Sequence, residues 1–84
     1  MKTVTLYSTG TCPCCVQAEN LLNRIGAPVE KIRVDQSAEQ RDTMIARSGQ
    51  RTVPQIFIGD RHVGGFSELH ALEKQGELAG LLRS

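Results

Sequence analysis

Long hydrophobic runs are missing from this 84-residue chain, and so is any strong charge imbalance, the formal net charge being +1. The first absence excludes a membrane-spanning helix. The second, with Lys, Arg, Asp and Glu interspersed, argues against a nucleic-acid or membrane partner chosen by bulk charge, so any charge selectivity must be local. Cysteine is scarce and clustered, with three residues at Cys12, Cys14 and Cys15, unlike the distributed pattern of a secreted disulfide framework. Repeats, low-complexity tracts and linkers are lacking too, and residues 1–84 suffice for one core with a thin stability margin, so they read as a single domain. From Met1 to Tyr7 one lysine precedes an alternating run, without the apolar segment of a signal peptide. The expected location is the cytoplasm.

What is present centres on Thr11-Cys12-Pro13-Cys14-Cys15 and the helical pattern after it. A cysteine just before a helix start meets unpaired backbone N–H groups and the positive end of the helix dipole, both of which favour thiolate. Cys12 is the expected nucleophile. Pro13 suits the first helical position, having no N–H to leave unpaired, and Cys15 returns to the same side one turn later. Such a pair can exchange disulfides: Cys12 attacks, and Cys15 resolves the mixed disulfide. A structural zinc site needs four ligands. Beyond the cysteines only His62 and His70 are available, neither in a second paired motif, and the expectation is no metal. A purely structural disulfide is disfavoured because so short a loop removes little unfolded-chain entropy.

Around this stretch, Val4 and Leu6 alternate with Thr3, Thr5 and Tyr7 as a short strand ending at Ser8-Thr9-Gly10. Cys15, Ala18, Leu21, Leu22 and Ile25 recur at helical spacing, with Gly26 as the C-terminal cap. Cys15 thus begins a buried stripe, which keeps its pKa high and makes it the resolving thiol. Val29–Val34 reads as a second strand, and Ser37 with Gln40 as a capping box opening a helix through Arg47 that ends at Gly49. Val53–Ile58 and Arg61–Gly64 form a hairpin about Gly59-Asp60. Ser67 is then placed to cap a helix carrying Leu69 and Leu72, with Leu78, Leu81 and Leu82 closing the core. His62 and His70 lie outside any convergent site and are read as inert. Arg41 is by itself a solvated charge.

The order β-α-β-α-β-β-α, Cys12-Pro13-Cys14-Cys15 at the first helix, Thr52-Val53-Pro54 before the third strand and Gly64-Gly65 before the last helix together resemble the glutaredoxin family, closest to its small bacterial dithiol members. The resemblance covers the whole chain. It implies an α/β, thioredoxin-like fold: a four-stranded mixed β-sheet flanked by helices. It also implies a glutathione-dependent thiol–disulfide oxidoreductase that reduces protein disulfides and glutathione mixed disulfides, as a monomer, with glutathione as co-substrate. By the same match Cys12 and Cys15 are catalytic and the peptide before Pro54 is cis. The turn's backbone meets the cysteinyl part of glutathione, N–H groups of Ser67 and Glu68 hold the γ-glutamyl carboxylate, and Arg41 faces the glycyl carboxylate. Thr9, Cys14, Gly65 and Phe66 complete the binding residues.

The chain departs from the family pattern at Cys14, where an aromatic is usual, at Thr9, where a lysine is common, and at Ser67-Glu68, where paired aspartates follow the glycines. Weaker electrostatic capture of glutathione is expected. Cys14 is either a tolerated small side chain on the rim or an exposed thiol that exchanges with Cys12. Two rival functions share these residues. One is a redoxin reduced by thioredoxin reductase, which retention of Val53-Pro54, Gly64-Gly65 and Arg41 disfavours. The other is an iron–sulfur carrier dimer using Cys12 and glutathione, which Pro13 disfavours.

Overall fold

A computed structural model describes residues 2–83. In chain order the elements are β1 (Val4–Ser8), α1 (Pro13–Arg24), β2 (Val29–Arg33), α2 (Ala38–Ser48), β3 (Gln55–Ile58), β4 (Arg61–Gly64), α3 (Phe66–Lys74) and α4 (Leu78–Arg83). The strands form one four-stranded sheet in the order β2-β1-β3-β4. β1 runs parallel to β2, with Val4 opposite Val29, and antiparallel to β3, with Leu6 opposite Ile56. This is the mixed thioredoxin-like sheet that the resemblance implies.

Strand alternation divides the core. Val4 and Leu6 of β1 and Ile56 and Ile58 of β3 face Ala18, Leu21 and Leu22 of α1, Leu69 of α3, and Leu78 and Leu82 of α4. Tyr7 and Phe57 point the other way, toward Val34 just after β2 and Met44 of α2. Because helices cover both faces, β3 is buried at every residue rather than at alternate ones. Tyr7 therefore does more than end a strand: its ring meets Phe57 edge-on at 5.8 Å. Arg47 of α2 lies over the Phe57 ring at 4.1 Å and donates to the Tyr7 hydroxyl at 3.0 Å, tying α2 to this face.

The helix ends follow local chemistry. Cys12 is the N-cap of α1 and Pro13 its first residue. Ser37 Oγ accepts from the Gln40 N–H at 3.3 Å, and α2 ends at Gly49, as its capping box predicts. At the C-terminal end the structure differs from expectation. Gly65, not Ser67, is the N-cap of α3, with no side-chain cap bond. The sequence signal for a cap is a hydroxyl, but the chain already bends at Gly64, whose φ is +118°, and α3 opens directly after Gly65. The leucines after it do not continue α3: the chain turns at Gly76, whose φ is +75°, and Leu78 and Leu82 enter the core from the separate α4. The β3 ladder starts at Gln55 rather than Val53. Val53 and Pro54 form a cis peptide and lie outside the ladder, where Pro54 has no N–H to donate.

Candidate functional site

The site is assembled where β1, β3 and α1 converge. Cys12, half-buried and extended in backbone, holds its Sγ over the first turn of α1, where it accepts the Cys15 N–H at 3.3 Å. Its thiol also reaches across the groove toward the Val53 carbonyl, 3.9 Å away and 41 residues along the chain. Backbone N–H groups at a helix start favour negative charge on such a sulfur. Cys15 is only 2% exposed. Burial pushes its thiol from 9.0 up to about 12, the adjacent Cys12 sulfur adds to the push, and the Thr9 backbone opposes it. Cys14 is exposed on the outer side of the turn. Val16, one residue past Cys15, is 50% exposed, the one large apolar side chain so exposed among the described residues.

The loop that carries Thr9 to Cys12 is held from the side by β2. Arg33 donates to Asp35 through Nε at 2.9 Å and Nη2 at 2.8 Å, and Asp35 Oδ2 accepts the Gly10 N–H at 3.2 Å. The Arg33 guanidinium keeps the Asp35 carboxyl down at about 2, below its usual 3.8, with the Gly10 N–H helping. A Cβ on Gly10 would meet the Arg33 guanidinium, so a larger residue there would displace this latch. Beside this latch is an open groove of about 220 Å³ lined by Thr9, Val34, Asp35, Arg41, Arg51 and Val53. Arg41, exposed on α2, is one of the side chains lining this groove. Arg51 adds a second cation to this groove, and its place directly before Thr52-Val53-Pro54 is the sequence signal for it.

Across the proline turn lies the start of α3. Gly64 is buried with φ +118°, and a Cβ there would sit 3.1 Å from Glu68 Cγ. A Cβ on Gly65 would stand 3.6 Å from both Pro54 O and Glu68 Oε2. Gly64 thus allows the chain to bend into α3 beside the turn, whereas a side chain at Gly65 would make only ordinary contacts, and the Glu68 carboxylate folds back over its own helix start. The first intrahelical bond runs from the Leu69 N–H to Gly65 O, so the Ser67 and Glu68 N–H groups precede the ladder. Phe66 departs from the expected grouping. It packs on the core and stacks on His70 at 5.7 Å, lining a separate groove with Gln17, Asn20, Leu21 and Arg24. A further hollow of about 190 Å³ between Ile25, Gly76, Leu78 and Leu82 lies at the opposite end of α1 from Cys12 and offers no nucleophile.

A reachable sulfur fed by a helix-start N–H, with a buried and protonated sulfur one turn behind it, is equipped for disulfide exchange. On this sheet the pair places the protein among the thiol–disulfide oxidoreductases of thioredoxin-like fold. A glutaredoxin family model matches residues 4–63. The glutaredoxin of Neisseria meningitidis is 51% identical over 83 residues, covering 98% of each chain. Escherichia coli glutaredoxin 3 is 43% identical, covering 99% of this chain and 100% of that one. Among solved structures, the Brucella melitensis glutaredoxin superposes with a TM-score of 0.84 at 46% identity, covering 98% of this chain and 89% of that one. The buckwheat glutaredoxin–glutathione complex gives 0.86 at 29% identity, with 95% and 76% covered. The chain belongs to the glutaredoxin family. No described helix is long and apolar enough to cross a membrane.

Proposed function

We propose that this protein is a glutathione-dependent oxidoreductase that reduces protein disulfides and removes glutathione from mixed disulfides. The observation that carries the reading is Cys12 Sγ held between the Cys15 N–H and the carbonyl of Val53, a residue that lines a groove together with Arg41 and Arg51. A groove with two cations beside a nucleophilic sulfur suits a thiol peptide that carries a carboxylate.

In the monothiol cycle the Cys12 thiolate attacks the glutathione sulfur of a glutathionylated substrate, the S–S bond breaks, and the substrate leaves as thiolate. A second glutathione then attacks the Cys12–glutathione disulfide, yielding oxidised glutathione and regenerating Cys12. In the dithiol cycle Cys12 opens a protein disulfide, and Cys15, once deprotonated, attacks Cys12 Sγ and expels the second substrate thiolate. The resulting Cys12–Cys15 bridge is reduced by two glutathiones. Exchange of this type runs in either direction, since potentials near −200 to about −230 mV lie close to that of the glutathione pool.

The tripeptide is placed with its cysteinyl backbone on Thr52-Val53-Pro54, its γ-glutamyl carboxylate on the Ser67 and Glu68 N–H groups, and its glycyl carboxylate toward Arg41 and Arg51. Thr9, Cys14 and Gly65 form the walls. Thr9 brings no cation of its own, but Arg51 lines the same groove. That glutathione occupies the buckwheat relative supports this choice of reductant. We further place the protein in the cytoplasm, acting as a monomer.

The test is glutathione-coupled reduction of a small mixed disulfide. Cys12→Ser should abolish turnover, whereas Cys15→Ser should keep mixed-disulfide reduction and lose reduction of protein disulfides. Cys14→Ser should retain both. Undiminished turnover by Cys12→Ser, or reduction by thioredoxin reductase in place of glutathione, would overturn the reading.

A further inference from the structure

The exchange chemistry leaves unused a polar network behind the proline turn. Gln55, the first residue of β3, is 1% exposed, and with Ser8 it makes up the buried polar residues of the described chain. Its amide nitrogen stands 3.0 Å from Thr52 O, 3.3 Å from Thr52 Oγ1 and 3.0 Å from Gln50 Oε1. Its amide oxygen stands 2.7 Å from Nε2 of His62 on β4.

The donors and acceptors can be assigned by elimination. A backbone carbonyl only accepts, so the side of the amide facing Thr52 O must be the NH2 group. Gln55 Oε1 is then an acceptor facing β4, and His62 Nε2 carries the hydrogen. His62 is itself held in place by its ring, which lies 4.8 Å from Phe57 at 30°. Residues 50–54 have neither helix nor strand pairing, so side chains must supply what a ladder supplies elsewhere. The line of contacts runs from Phe57 to His62, to Gln55, to Thr52, and ends at the Val53 carbonyl that faces Cys12 Sγ.

We infer that Gln55 and His62 are positioning residues of the redox site: the His62 N–H orients the buried Gln55 amide, which holds the Thr52-Val53-Pro54 turn where it meets Cys12 and the incoming tripeptide. Neither side chain touches the reacting sulfurs. The inference rests on the glutathione reading for its kinetic consequence but not for its structural one. His62, inert when read from sequence alone, thereby acquires a role through its partner.

The effect should fall on capture of the reductant. Loss of a hydrogen bond to a buried amide is expected to raise KM for glutathione about tenfold in Gln55→Leu and about threefold in His62→Leu, with kcat changed less than about twofold. His62→Gln returns an N–H of similar reach and should restore KM toward wild type. Because His62 is exposed, its variants will fold even if Gln55→Leu does not. Amide hydrogen exchange of the unliganded protein at residues 51–53 supplies a second readout: it should quicken in His62→Leu and return in His62→Gln. If wild type fails to turn over with glutathione, the functional reading falls, and the exchange arm alone decides the positioning role. Should His62→Leu match wild type in exchange at 51–53, the inference is wrong whatever the reductant. An equal fall in kcat and rise in KM, unrescued by His62→Gln, would also overturn it.

Discussion

Held up at about 12 by burial, the Cys15 thiol is the poorer nucleophile of the pair at neutral pH, because thiolate rather than thiol attacks sulfur. Once Cys12 is tied into a mixed disulfide, its sulfur no longer adds to that upward push, while burial still does. The resolving step therefore waits on a proton that the monothiol cycle never needs to remove. Reduction of a protein disulfide should keep rising with pH after mixed-disulfide reduction has levelled off, and paired pH–rate profiles will show it; parallel profiles would mean that Cys15 does not limit the dithiol cycle. The same shift bears on stability. Since the folded value lies above 9.0, the folded chain keeps a proton that the unfolded chain gives up. The contribution of Cys15 is whole below 9.0 and is lost as pH rises toward about 12. Over that window the urea midpoint of wild type should fall relative to that of Cys15→Ala.

At the level of elements, α1 aims the sulfur and the end of β2 holds the loop before it. The latch of Arg33, Asp35 and the Gly10 N–H is electrostatic and exposed, so it depends on the charge of Asp35. The folded-state value of Asp35 is depressed, to about 2 from 3.8. Its contribution is thus present above 3.8 and disappears as pH falls through about 2. Asp35→Asn should melt below wild type at neutral pH, and the difference should close at the acid end of that window. A constant difference across it would show that the carboxylate does not hold the loop. α2 is attached differently, by Arg47 on Phe57 and on the Tyr7 hydroxyl.

For the whole molecule, most of the hydrophobic burial involves residues other than the reactive pair. The larger hydrophobic cluster joins α1, α3 and α4 to one face of the sheet, and Leu22 is wholly buried within it. Leu22→Ala should cost about 3 kcal/mol through lost burial and the cavity left behind, read as a lower urea midpoint. Turnover per folded molecule should remain, because the substitution leaves the Cys12 contacts with Cys15 and Val53 in place. Lost turnover in the fully folded variant would show instead that the core sets the aim of the sulfur.

Much of this design is legible along the chain, because local chemistry is periodic. The alternation at Val4 and Leu6, the stripe from Cys15 to Leu22 and the Ser37–Gln40 cap each declare an element within a few residues. Cys12 before Pro13 declares where a sulfur meets a helix start. The sequence by itself therefore determined the order of the elements and the place of an accessible sulfur at a helix start with a buried one a turn behind it, since these depend on spacing and helix termini. Only the tertiary structure decided that Gly65 rather than Ser67 opens α3, that Arg51 shares a groove with Arg41, and that His62 reaches the proline turn through Gln55. Those outcomes depend on residues brought together by sheet pairing and by close backbone approach, and no periodicity in one dimension records which side chains will meet across a turn.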